Sequence, residues 1–182
     1  DVHAFQTGTP VRRADRRGCR HEFTQTTESH TGRHAARFAA SCNSQPAGWS
    51  MRGAPLPRPL DVGDWVGVSA WVHGDGAGEQ LKIQLVDETG GARDYYVPVN
   101  FTGWRHVEVT TASLDTLRAE RIVGINLYYN GLPASRSVVC LIDDIRGIVR
   151  RQGQAAATVS VENFEETESV WCGGACRCFS VV

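Results

Sequence analysis

At 182 residues and 19.9 kDa the chain is long enough for one well-buried domain and a fragment, and too short for two full domains. Its 19 basic and 20 acidic side chains leave a net charge of −1, which excludes a nucleic-acid binder driven by phosphate neutralisation; charged residues at 21% also exclude a disordered polyampholyte. The longest apolar runs are as short as Val138 to Ile142, so nothing is predicted to span a bilayer.

Arginine replaces lysine almost everywhere, leaving Lys82 alone, a bias read as GC-rich coding rather than function. The cluster Arg12, Arg13, Arg16, Arg17 and Arg20 reads as a solvated loop rather than a polyanion patch, because no aromatic residues interleave with it. Six cysteines are present: Cys19, Cys42, Cys140, Cys172, Cys176 and Cys178. The chain opens on Asp1, which reads as a mature product, a proteolytic piece or an excised segment. An even cysteine count in such a chain points to secretion and disulfides, with all fifteen connectivities open.

In chain order the pattern is β almost throughout, with one weak helical turn at Ser113–Glu120. Val66, Val68, Ala70 and Val72 alternate before the turn Gly74-Asp75-Gly76. Leu81, Ile83 and Leu85 alternate before Asp87-Glu88-Thr89-Gly90-Gly91. Tyr95, Val97 and Val99 follow, then Trp104 to Val109, then Ile125, Leu127 and Tyr129 before Asn130-Gly131. Val138 to Ile145 is more continuously apolar, as a central strand requires. Short strands with turns at this spacing predict an all-β sandwich of the jelly-roll type.

The opposite faces of these strands carry the functional signal. Alternation turns Ser69, Trp71 and His73 away from the core, with Lys82, Gln84, Asp94, Tyr96, Asn126, Tyr128 and Asn130. Flat rings beside amides suit a sugar, whose C–H faces stack while its hydroxyls bond to amides and charges. The same rings would also serve to pack a loop or a neighbouring subunit, and periodicity does not choose between the two. The expected polysaccharide-binding set is Trp71, Gln84, Tyr96, Asn126 and Tyr128, joined by Trp49 and Arg52 from the flanking strand.

Four pieces of sequence resemble the carbohydrate-binding-module type of jelly roll, in the galactose-binding-domain-like superfamily. They are Glu28-Ser-His-Thr-Gly32-Arg-His-Ala-Ala-Arg-Phe38; Trp65–Val72 followed by Leu81-Lys-Ile-Gln-Leu-Val-Asp87; Gly103-Trp104-Arg105-His106-Val107; and Cys140-Leu-Ile-Asp143-Asp144-Ile145. The resemblance covers roughly residues 20–148. It implies a non-catalytic, secreted, ligand-binding module of the kind attached to polysaccharide-degrading enzymes. It also implies a structural calcium ion held by the Glu28 carboxylate, backbone carbonyls around His30 and Arg33, and Asp143. The family often opens on a phenylalanine–glutamate step; here Phe5 is followed by Gln6, and the glutamate reappears at Phe164-Glu165.

That displaced step belongs to a wider repeat. Val2-His-Ala-Phe5 matches Val161-Glu-Asn-Phe164, and Cys19-Arg20 matches Cys176-Arg177. The expected organisation is a module over residues 1–149, a linker over 150–160, and a tail over 161–182. The tail reads as the opening strands of a second copy, or as a strand donated to the next subunit. Donation of this kind is head-to-tail and builds an open filament of identical subunits, which is the alternative function. Cys172, Cys176 and Cys178 lack a fourth metal ligand and read as disulfide partners. None of the six histidines sits in a metal or nucleophile motif, and no phosphate loop is present, so the chain is not expected to be an enzyme.

Overall fold

The computed structural model describes residues 12–43, 48–61, 65–110, 121–134, 136–150 and 153–165. Among these, the alternating segments form eleven strands: β1 (Arg12–Asp15), β2 (Cys19–Thr26), β3 (Ala35–Cys42), β4 (Gly48–Asp61), β5 (Trp65–Asp75), β6 (Glu79–Asp87), β7 (Ala92–Val99), β8 (Thr102–Thr110), β9 (Arg121–Leu132), β10 (Ser137–Val149) and β11 (Ala157–Glu162). Sheet 1 has the order β1-β4-β9-β6-β7, sheet 2 the order β2-β3-β10-β5-β8, and every paired strand is antiparallel. The chain is an all-β sandwich, as the strand spacing predicts. The helical turn expected at Ser113–Glu120 lies outside the described residues.

The core lies between the two inner faces. Sheet 1 contributes Leu81, Ile83, Leu85, Tyr95, Val97, Ile125, Leu127 and Tyr129, and sheet 2 contributes Phe38, Val68, Ala70, Val72, Cys140, Ile142 and Ile145, all buried. Phe38 and Tyr129 meet across the sandwich with ring centres 5.4 Å apart. Every second residue of β6, β7 and β9 is therefore withdrawn from water, which fixes their other faces outward. The β6–β7 turn forms because Asp87 Oδ1 accepts hydrogen bonds from Thr89 N (2.8 Å), Thr89 Oγ1 (2.7 Å) and Gly91 N (2.8 Å).

Two irregularities between β5 and β10 depart from plain alternation. Between Asp143 and Arg146, β10 gains a residue against β5, and Asp144 takes a φ of +48° there. Arg146 Nε donates to both carboxylate oxygens of Asp144, at 3.0 and 2.9 Å. A second shift at Ile148/Val149 skips Val66, so Trp65, only 2% exposed, takes the core position that alternation gives to Val66. Gly147 makes this possible, because a Cβ there would overlap the Trp65 ring.

At the far edge of sheet 2, Cys19 and Cys42 lie opposite each other on β2 and β3 and are joined by a disulfide. Cys140, a disulfide candidate from sequence, is instead a buried free thiol. It faces the core from a central strand, and burial raises its pKa far above the ordinary thiol value. Cys172, Cys176 and Cys178 lie outside the described residues.

Strand β11 begins at Ala157, inside the segment read as a linker, and pairs with the second half of β10. The first half of β10 pairs with β3 on that side, so β11 continues the line of β3. Val161 and Phe164 turn inward and are buried; the Phe164 ring lies 6.4 Å from that of Phe23. Gln25 Nε2 donates to the Phe164 carbonyl at 2.8 Å. The described start of the segment read as the opening of a further copy thus packs on the sheet of its own chain, and residues 166–182 lie outside the described residues.

Candidate functional site

The outward face of sheet 1 follows from its register. One row across the sheet runs Tyr96, Lys82, Tyr128 and Met51; the next runs Asp94, Gln84, Asn126, Gly53 and Arg12; and Trp49 stands beside Asn130 and Gln80. The structure therefore brings Trp49, Gln84, Tyr96, Asn126 and Tyr128 of the sequence-based set onto one surface. Tyr96 is 46% exposed, while Trp49 and Tyr128 are half-buried with ring centres 6.0 Å apart.

A chain of polar contacts fixes this surface. Asn126 Nδ2 donates to Gln84 Oε1 at 2.7 Å, and Gln84 Nε2 donates to Asp94 Oδ1 at 2.7 Å. Asp94 Oδ2 also accepts from Lys82 Nζ (3.2 Å) and from Tyr96 OH (3.1 Å). The Lys82 ammonium lies 3.8 Å from the Tyr128 ring centre, in cation–π geometry. Asn126 Oδ1 ends over Gly53, where a Cβ would collide with it, and has no hydrogen-bond partner. The surface thus presents flat rings with fixed amide and carboxylate groups between them.

Trp71 and Arg52 stand elsewhere. Arg52 pairs with Leu127 in the ladder and so shares its inward side; it is 8% exposed. Trp49 and Arg52 are three residues apart, and an odd separation along a strand puts two side chains on opposite faces. Trp71 does point outward, but from sheet 2, opposite Asp143 and His106. The imidazole of His30 stacks on it with ring centres 3.4 Å apart and 12° between planes. Trp104, which the sequence reading did not place in the site, joins this second cluster at 5.8 Å from His30 and 5.4 Å from His73. Its position on β8 opposite His73 was open to the alternation rule.

The loop that carries Glu28, His30 and Arg33 is held by two carboxylates. Asp143 Oδ2 accepts from the backbone N–H of His30 (2.9 Å) and Thr31 (2.7 Å). Glu165 Oε1 accepts from those of Arg33 (2.8 Å) and His34 (2.9 Å), filling the space over Gly32. Burial raises the Asp143 pKa despite these amides; for Glu165 the amides of His34 and Arg33 outweigh desolvation and lower it. The Glu28 carboxylate is turned to His73 Nε2, 3.8 Å away. Among the described residues no three His, Cys, Asp or Glu side chains converge in a group able to hold a metal.

No family model and no curated protein matches the chain. Solved structures do match. The family 11 carbohydrate-binding module of the cellulosomal cellulase Lic26A-Cel5E of Clostridium thermocellum is 12% identical, with a TM-score of 0.54 over 83% of this chain and 95% of that one. The family 11 module from Clostridium thermocellum in complex with a β-1,3-1,4-mixed-linked tetrasaccharide is 14% identical, with a TM-score of 0.52 over 79% and 91%. A solution structure of CtCBM11 gives 14% identity and a TM-score of 0.56 over 82% and 94%. The chain therefore has the jelly-roll sandwich fold of carbohydrate-binding modules.

Proposed function

We propose that the chain is a non-catalytic, extracellular carbohydrate-binding module that docks a polysaccharide on the outward face of sheet 1. The observation that carries this reading is the co-facing of Trp49, Tyr96 and Tyr128 with the hydrogen-bonded row Asn126, Gln84 and Asp94. The rings stack on the C–H faces of successive sugars, and the amides and carboxylate meet the hydroxyls between them. Each stacked ring contributes roughly 1 kcal/mol beyond area burial, so the affinity is expected to be micromolar to millimolar. A structural neighbour that holds a tetrasaccharide supports this class of ligand. The Cys19–Cys42 disulfide supports an oxidising, extracellular setting. Titration of glycans against Tyr128→Ala, Trp49→Ala and Trp71→Ala tests the face: the first two are expected to lose binding and the third to keep it. Loss in Trp71→Ala with full binding in Tyr128→Ala would move the site to sheet 2.

A structural calcium ion belongs to the same proposal. Asp143 Oδ1 is buried without a hydrogen-bond partner, and an orphaned carboxylate oxygen is what a hard cation satisfies. Asp143 and Glu28 would hold the ion, with backbone oxygens around His30 and Arg33. Chelation is then expected to lower the melting temperature of the wild type and to leave that of Asp143→Asn unchanged; an unshifted wild type removes the ion.

The filament reading draws on β11. Val161 and Phe164 are its buried anchors, and a neighbour's tail can fill the same place through the same main-chain bonds. Light scattering across a concentration series tests it, and a monomer throughout rules it out.

A further inference from the structure

The charges on the outward face of sheet 1 are unevenly placed. Among its described residues Asp61 is matched by Arg121 across the ladder at the end of β4, and Asp94 is the acid among the rings: it stands on β7, one edge of the sheet, held by Lys82, Gln84 and Tyr96. The opposite edge is β1, where Arg12 lies across from Gly53 and so shares the face of Asn126. Arg13 turns to the other side, its Nη2 donating to the His21 carbonyl at 2.8 Å. The next turn, Arg16-Arg17, is tied to the Trp49 end of the face by the bond from Arg16 N to Trp49 O, 3.0 Å.

Between these edges stands the chain's single lysine. Lysine usually extends into water, yet the Lys82 side chain is only 13% exposed and is folded over the Tyr128 ring. Asp94 takes one of the three ammonium donors. Burial and Asp94 raise the Tyr128 phenol pKa while Arg12 pulls it down, so the guanidinium's field reaches that ring. Rings and amides suffice for a neutral sugar. Two cations stand around the ring platform, and the acid beside it, Asp94, occupies only one Lys82 donor, so the remaining donors match a sugar bearing a negative group.

We propose that the glycan taken on this face is acidic, with its carboxylate or sulfate seated beside Tyr128 between Arg12 and Lys82. This rests on the sugar-binding reading above and adds the ligand class to it. A charge-assisted contact to an oxyanion is stronger than a neutral hydrogen bond and is weakened by salt.

The test is affinity electrophoresis and calorimetry of the full chain with a polyuronate, a sulfated galactan, a neutral β-glucan and a neutral galactan. The expected result is a preference for one or both acidic polymers, weakened about tenfold between about 50 and about 500 mM salt. Arg12→Gln and Lys82→Met should each weaken that binding by about tenfold, and the acidic polymer that responds separates carboxylate from sulfate recognition. Binding of a neutral polymer as tight or tighter, with no salt dependence and no effect of Arg12→Gln, overturns the acidic ligand and leaves the sugar site standing. Failure to bind any of the four overturns both.

Discussion

His21 shows how one buried group ties stability to pH. It is 4% exposed, packed edge-on against Phe38, with Nδ1 2.6 Å from Asp15 Oδ1. Ser50 Oγ donates to the same Asp15 oxygen at 2.6 Å. Burial lowers the imidazole pKa against the opposing pull of Asp15, so on acidification the unfolded chain takes up the proton first. Stability is therefore expected to be full above a pH of about 6.5 and to decline below it until the folded imidazole itself protonates. Denaturant titrations between pH 5 and pH 7.5 should show that slope, and His21→Gln should flatten it; an unchanged slope refutes the assignment. Glu79 works with the opposite sign. It is 3% exposed, accepts a hydrogen bond from Tyr129 OH, and has its pKa raised by burial and by Asp75. Its contribution is present below the ordinary glutamate value of 4.5 and is lost as pH rises through the raised one. Glu79→Gln should remove that loss, leaving the variant at least as stable as the parent near pH 8.

At the scale of strands, the close approach of β5 and β10 depends on a missing side chain. Gly147→Ala drives a methyl into the ring of Trp65 and should cost about 1–3 kcal/mol, seen as a lower melting temperature. In Trp65→Leu the same change should cost less, since the two positions share one volume; equal losses in both backgrounds would show that the packing is not coupled. The same two strands mark where the sequence was readable. The faces of β6, β7 and β9 followed from alternation, because Leu81, Ile83 and Leu85, then Tyr95, Val97 and Val99, then Ile125, Leu127 and Tyr129 are apolar at every second position and buried there. Val66 was misread because the period slips at a bulge that is set by the partner strand. Pro55, Pro57 and Pro59 likewise break the ladder of β4, which loses register between Pro55 and Leu60. Trp71 was rightly turned outward and wrongly grouped. Which sheet receives a strand is decided by partners far along the chain, here Asp143 and His106, and no local pattern encodes that choice.

For the whole molecule, the disulfide is a staple at one edge of an otherwise hydrophobic assembly. Cys19 and Cys42 are 23 residues apart, and closing a loop of that length restricts the unfolded chain by about 3 kcal/mol. The Cys19→Ser, Cys42→Ser pair is expected to fold with stability reduced by that order in urea titration; a difference near zero would mean the reduced chain is already restricted. The place of β10 in sheet 2 has a consequence in time. It lies between β3 and β5 and also carries β11, yet only β11 follows it in the described chain. A chain leaving the ribosome therefore holds β2–β3 and β5–β8 as two separate halves until residues 137–149 arrive to join them. The Cys19–Cys42 bond needs only β2 and β3, which pair with each other, so it can close during that wait. Oxidation before completion should speed refolding and not merely steady the finished sandwich, and the late, long-range pairing should make folding slow for a domain of this size.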